Sequence, residues 1–148
     1  MPNTTSLPFA VSYRGPIGIV NSDGSRVEIV AMHRGQNVTQ SAGHDLVASN
    51  QRWVTDMSTT PFRITDGTAS FYTENQEHML FCTFEGSATP LPDNPQKIDA
   101  TVTARFTGGR GRFQDAGGQA TVNARLHLDE GFSEGTLEGG ILALSDLQ

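Results

Sequence analysis

Lys97-Ile-Asp-Ala-Thr-Val-Thr-Ala-Arg-Phe-Thr-Gly-Gly-Arg-Gly-Arg-Phe-Gln-Asp-Ala-Gly-Gly-Gln-Ala-Thr-Val-Asn-Ala-Arg-Leu-His-Leu128 is the stretch that decides the fold. Its first run sets apolar Ile98, Ala100, Val102, Ala104 and Phe106 against polar Lys97, Asp99, Thr101, Thr103 and Arg105. Its second sets Ala120, Val122, Ala124, Leu126 and Leu128 against Gln119, Thr121, Asn123, Arg125 and His127. A strand sends successive side chains to opposite faces, so strict alternation describes two strands with one buried and one wetter face. Five glycines in the twelve residues 107–118 form the corner between them. Glycine tolerates positive φ and close backbone approach, which a bend between long twisted strands requires.

Working outward, residues 9–13, 17–20, 26–33, 51–57, 62–65, 68–73, 78–85 and 133–142 also read as strands. The Asp23-Gly24 and Asp66-Gly67 steps suit turns, the first of them a hairpin. Pro90, Pro92 and Pro95 mark 86–96 as a loop. Residues 34–50 are the least regular; a short helix over 42–49 is one reading of them, and so long a connection suits a lid or binding loop. Residues 1–8 are expected to be a flexible terminus and 143–148 a loose tail. The reading is one domain over 1–148, all-β, with roughly eight strands joined by hairpins. A barrel or a sandwich accounts for that pattern.

Sixteen glycines and seven prolines leave little room for long helices, and 36% hydrophobic content suits a strand-and-turn protein. The formal net charge of −6 argues against nucleic acid and against an anionic membrane surface as partners. Cys82 is the only cysteine, so no internal disulfide can form. No stretch approaches the roughly 20 apolar residues of a membrane span, and the N-terminus lacks the basic and apolar regions of a signal peptide. The expected location is the cytoplasm.

Chemistry is written less plainly. His78 and Cys82 lie four apart in one strand-like run and share a face with Leu80 and Phe84. A cysteine near a histidine can be a nucleophile or relay, but four residues of strand separate them by about 13 Å. The commoner reading of such a thiol is a small buried hydrophobe. His33 ends an apolar face, His127 lies on a polar one, and His44 falls in the irregular segment. No H-x-x-x-H or C-x-x-C spacing calls for a metal. The corner fails both G-x-G-x-x-G and the P-loop pattern. Arg105, Arg110, Arg112 and Arg125 could gather around an anion, or be a solvated rim. Trp53, Tyr72, Phe81, Phe84 and Phe106 could line a cavity or fill a core, and eight strands leave room for either. Small Ala31, Ala100, Ala104, Ala120 and Ala124 on apolar faces favour some empty space.

From residue 68 to 142 the order of features resembles the allene oxide cyclase and dirigent-protein superfamily. The carrying residues are Ser70-Phe-Tyr72, a short turn into His78, Phe84-Glu-Gly86, Arg105-Phe-Thr107 and Gly108-Gly-Arg-Gly-Arg-Phe113. The last is similar to the family's Gly-Gly-Thr-Gly-x-Phe corner, and Ala116-Gly117 with the strand 119–128 continues the likeness. Residues 1–60 carry none of it. The resemblance implies an eight-stranded antiparallel β-barrel of calycin type, a ligand cavity and a homo-oligomer, dimer or trimer. The expected function is a cofactor-independent cyclase or isomerase for a flexible, largely apolar small molecule, fatty-acid- or polyketide-derived. The alternatives are a non-catalytic barrel for a hydrophobic ligand and a structural or assembly module. His78, Cys82 and Tyr72 are the candidates for chemistry, and His33, Trp53, Phe84 and Phe106 for substrate contact. No metal and no cofactor is expected.

Overall fold

The computed structural model describes residues 4–36 and 46–145 and shows an all-β chain. Eight strands run in sequence order: β1 (Thr4–Asp23), β2 (Arg26–Gln36), β3 (Ala48–Asp56), β4 (Phe62–Tyr72), β5 (Met79–Leu91), β6 (Asn94–Arg110), β7 (Gly117–His127) and β8 (Phe132–Ser145). Each pairs antiparallel with the next, and β1 pairs with β8 to close the barrel. Closure removes the unpaired edges that an open sheet would present. No helix among the described residues is long and apolar enough to cross a membrane.

β6 and β7 bear out the alternation. Ile98 faces Leu126, Ala100 faces Ala124, Val102 faces Val122 and Ala104 faces Ala120. Those β6 residues are buried, and Asp99, Thr101, Thr103 and Arg105 between them are exposed. The corner carries one turn of 3-10 helix, Gly111–Phe113. Gly111 has φ +63°, and a Cβ there would meet His78 Nδ1 at 2.2 Å, so both backbone and space require glycine.

Several elements differ from the sequence reading. The segments 9–13 and 17–20 are one strand, β1, which runs through Pro16. Proline removes a single donor; Pro16 still pairs with Phe132 at the end of the β8 ladder, and the ladder to β2 resumes with the Ile17–Ala31 pair. Residues 62–65 and 68–73 likewise join in β4; Asp66-Gly67 is a bulge with Asp66 at φ +55°, and not a turn. These two mergers bring the strands to eight. The proline-bearing segment 86–96 is mostly strand, with β5 extending to Leu91 and β6 starting at Asn94. The chain ends support each other: Thr4 to Pro8 pair with Ser145 to Ile141, so each supplies backbone partners to the other. Of the helix considered over 42–49, residues 46 and 47 are irregular and Ala48 opens β3, while 42–45 lie outside the described residues.

The interior divides along the barrel axis into two apolar clusters. One includes Tyr13, Leu46, Phe71, Leu80, Phe106 and Phe113. The other includes Ile29, Trp53, Ile64, Ile98, Val102 and Leu126. Along β6, Ile98 to Val102 belong to one and Ala104 and Phe106 to the other, which sets them at opposite ends. Phe84 and Val122 pack against both.

Candidate functional site

Between the two clusters lies a cavity of about 60 Å³. Tyr13 and Phe71 bound it from one end, and Trp53 and Ile64 from the other. Small Ala100, Ala104 and Ala124 on the β6–β7 wall stand where larger residues would fill the space. Several times the roughly 10–15 Å³ that admits a single water, such a volume takes a few waters or a short ligand segment.

One sector of the lining is polar. Ser133 on β8 pairs with Gly15 on β1, and His33 on β2 pairs with Ser49 on β3. Gly15 lies between Ser133 and His33. A Cβ at Gly15 would come within 2.2 Å of the Met32 carbonyl oxygen and 2.9 Å of His33 Cα. The bare backbone lets the imidazole span β1, so that His33 Nε2 and Ser133 Oγ are 2.7 Å apart. On the other side Gln51 Nε2 lies 3.3 Å from His33 Nδ1 and 3.3 Å from Ser49 Oγ. His33, Ser49 and Ser133 are all buried, and each makes at least one of these hydrogen bonds. That is the condition under which polar groups are tolerated inside a protein.

The electrostatics of this interior are those of a largely apolar space. Burial lowers the His33 pKa to about 4, so the imidazole is neutral at pH 7. Burial pushes the Cys82 thiol up to about 12, so it stays protonated. No Asp, Glu, Lys or Arg lines the cavity among the described residues. The Trp53 indole N–H donates to Thr55 Oγ1 at 3.1 Å, and its ring lies 6.1 Å from that of Phe84.

Of the candidate residues from sequence, His33, Trp53, Cys82 and Phe84 line this cavity. Tyr72, His78 and Phe106 do not. Tyr72 follows inward Phe71 at the end of β4, and its side chain is on the opposite face by alternation. His78 precedes β5, so it does not share a strand face with Cys82. Its Nδ1 accepts the Arg112 backbone N–H at 2.9 Å, and the His78 backbone N–H donates to Thr73 Oγ1 at 3.3 Å. It ties the glycine corner to the β4–β5 turn. Phe106 is buried in the apolar cluster with Phe113. His44 lies outside the described residues. Reading single strands missed Gln51, Ser49 and Ser133. Ser133 and Gly135 take positions inside β8 where apolar residues would be expected, and that was the available signal.

Outside the barrel two of the four candidate arginines, Arg112 and Arg125, are separately engaged. Arg125 on β7 forms a two-pronged ion pair with Asp99 on β6, at 2.6 and 3.0 Å. The Arg112 guanidinium lies over the Phe113 ring, 4.4 Å from its centre. At the β7–β8 turn His127, Asp129 and Glu130 converge. The Lys97 ammonium already lies among them, 2.7 Å from His127 Nδ1, 2.9 Å from Glu130 and 3.5 Å from Asp129. The lysine is the cation of that cluster.

No family model, curated protein or solved structure matches the chain.

Proposed function

We propose that this barrel takes a small, largely apolar molecule into its interior and acts on it as a cyclase or isomerase without a cofactor. The observation that carries the reading is the cavity at the waist, apolar on most sides with the His33–Ser133–Gln51 sector at one place on its wall. An apolar enclosure favours a folded-up substrate over an extended, hydrated one, and fixed dipoles stabilise charge that develops as bonds rearrange. The likeness of residues 68–142 to the allene oxide cyclase and dirigent superfamily supports the same reading. The volume of about 60 Å³ limits what enters without side-chain movement to a short substrate or to the reacting segment of a longer one.

A second reading, a non-catalytic carrier, is favoured by the ionisation state of the interior. Neutral His33 with a pKa of about 4 is a weak base, and a Cys82 thiol with a pKa of about 12 is a poor nucleophile. Both readings share the ligand.

The test is native mass spectrometry of the protein before and after incubation with an extract of its own source, which also counts subunits. A bound molecule of definite mass is expected. Recovery of a cyclised or isomerised product from a defined starting compound marks an enzyme, and return of that compound unchanged marks a carrier. A clean unliganded mass in every state sinks both and turns attention to an assembly role.

A further inference from the structure

The polar sector has a direction. Gln51 Nε2 is an amide N–H donor, so at 3.3 Å it makes His33 Nδ1 an acceptor. The ring proton then resides on Nε2 and is donated to Ser133 Oγ at 2.7 Å. A serine hydroxyl that accepts a hydrogen bond keeps its own O–H to give, and Ser133 lines the cavity. Hydrogen bonds in series polarise one another, more so in a low-dielectric interior.

Building on the reading of the cavity as a ligand site, we infer that Ser133 Oγ–H is the donor for one uncharged acceptor oxygen of the ligand, a carbonyl oxygen. His33 and Gln51 are positioning residues, aligned in the order Gln51 amide, His33 imidazole, Ser133 hydroxyl, ligand oxygen. The ligand class is a small neutral carbonyl compound. A carboxylate fits less well, because no Lys or Arg lines the cavity among the described residues to offset a buried negative charge. In a reacting complex the same donor would stabilise negative charge growing on that oxygen, and no proton has to leave the chain for it to do so.

Two probes of nearly equal shape separate this inference from the one beneath it. Butanone is a short neutral ketone of five heavy atoms; 2-methylbut-1-ene replaces its oxygen by a CH₂ group. Binding of each is followed through the fluorescence of Trp53, the only tryptophan, and through the imidazole ¹⁵N signals of His33. In the unmodified protein the expected pattern is a protonated Nε2, an unprotonated Nδ1, and an Nε2 signal that moves with butanone and not with the alkene. Ser133→Ala is expected to weaken butanone roughly five-fold, the size of one net hydrogen bond, and to leave the alkene unchanged. Gln51→Glu places an acceptor at Nδ1, draws the ring proton to that side and is expected to weaken butanone similarly. Should Ser133→Ala fail to fold, the ¹⁵N measurement on the unmodified protein decides. A proton on Nδ1, or equal responses of both probes to Ser133→Ala, overturns the donor chain while leaving the cavity standing. Failure of both probes to bind the unmodified protein overturns the cavity reading and the inference together.

Discussion

The two halves of the barrel wall are built on different principles. Across β6 and β7 every inward position from Ile98 to Ala104 is apolar and faces an apolar partner, from Leu126 to Ala120. From β8 through β1 and β2 to β3, the inward positions at the waist are Ser133, Gly15, His33 and Ser49. The first wall can be understood strand by strand, because burial and period 2 are enough to specify it. The second makes sense only across strands, because each polar group there is tolerable only with its neighbour in place. A local departure from a fold's own pattern, whose polar members hydrogen-bond one another, marks where stability has been spent on something other than packing.

The largest effect should come from Trp53, which faces the cavity from the apolar cluster and is 5% exposed. Trp53→Ala is expected to cost about 3–5 kcal/mol, read as a fall in the urea midpoint. Trp53→Phe should retain most of that stability while altering probe binding, since it keeps an aromatic face toward Phe84. Were Trp53→Ala to unfold no earlier than the parent, the cavity wall would be far more yielding than its burial indicates.

The polar wall has its own signature in pH. Unfolded His33 titrates near its ordinary value of 6.5, whereas the folded group titrates near 4. Between those values the unfolded chain binds more protons, so stability rises with pH through that window and this contribution is complete above 6.5. The shift corresponds to roughly 3 kcal/mol lost by the time pH has fallen below 4. Denaturation midpoints of the parent and of His33→Gln across pH 4–7 check it. The variant should lack this component of the slope, and parallel curves would mean that the imidazole accepts a proton inside the barrel.

Filling the space should separate stability from binding. Ala104→Val adds methyl groups at a buried position on the apolar wall that borders the cavity. Overpacking at such a site costs about 1–3 kcal/mol, offset in part by the packing that the added methyls gain against the cavity. Binding of 2-methylbut-1-ene should fall sharply. Unimpaired binding would place the probe elsewhere.

The apolar wall was legible in the sequence for the same reason that it is simple. Alternation over 97–106 and 119–128 gave the strands, their inward faces and the all-β class. Proline and Asp-Gly rules, being local, cut β1, β4 and β5 too short, because barrel closure supplies neighbours that hold a strand through Pro16, Asp66 and Pro90. The site was half legible. His33 and Trp53 were marked by residue type on an apolar face, whereas Ser133 and Gln51 look ordinary until the register brings them to His33. Separated by 100 and 18 positions from it, they make hydrogen bonds that no local window contains. His78 misled because a histidine beside a strand resembles one within it.

The smallest effect concerns Cys82, which borders the cavity but belongs to the apolar cluster. Only the thiolate attacks an alkylating reagent, and burial holds the pKa at about 12. At pH 8 the thiolate fraction is therefore on the order of 10⁻⁴, and the side chain is only 3% exposed. Iodoacetamide should leave the folded protein unlabelled over hours and label it readily in denaturant, as mass spectrometry would show. Addition of butanone should not change that, because the ligand would take its hydrogen bond from Ser133 and leave the thiol neutral. Rapid labelling of the folded protein would instead require an activated thiol, and would move the reactive side of the cavity from the polar wall to β5.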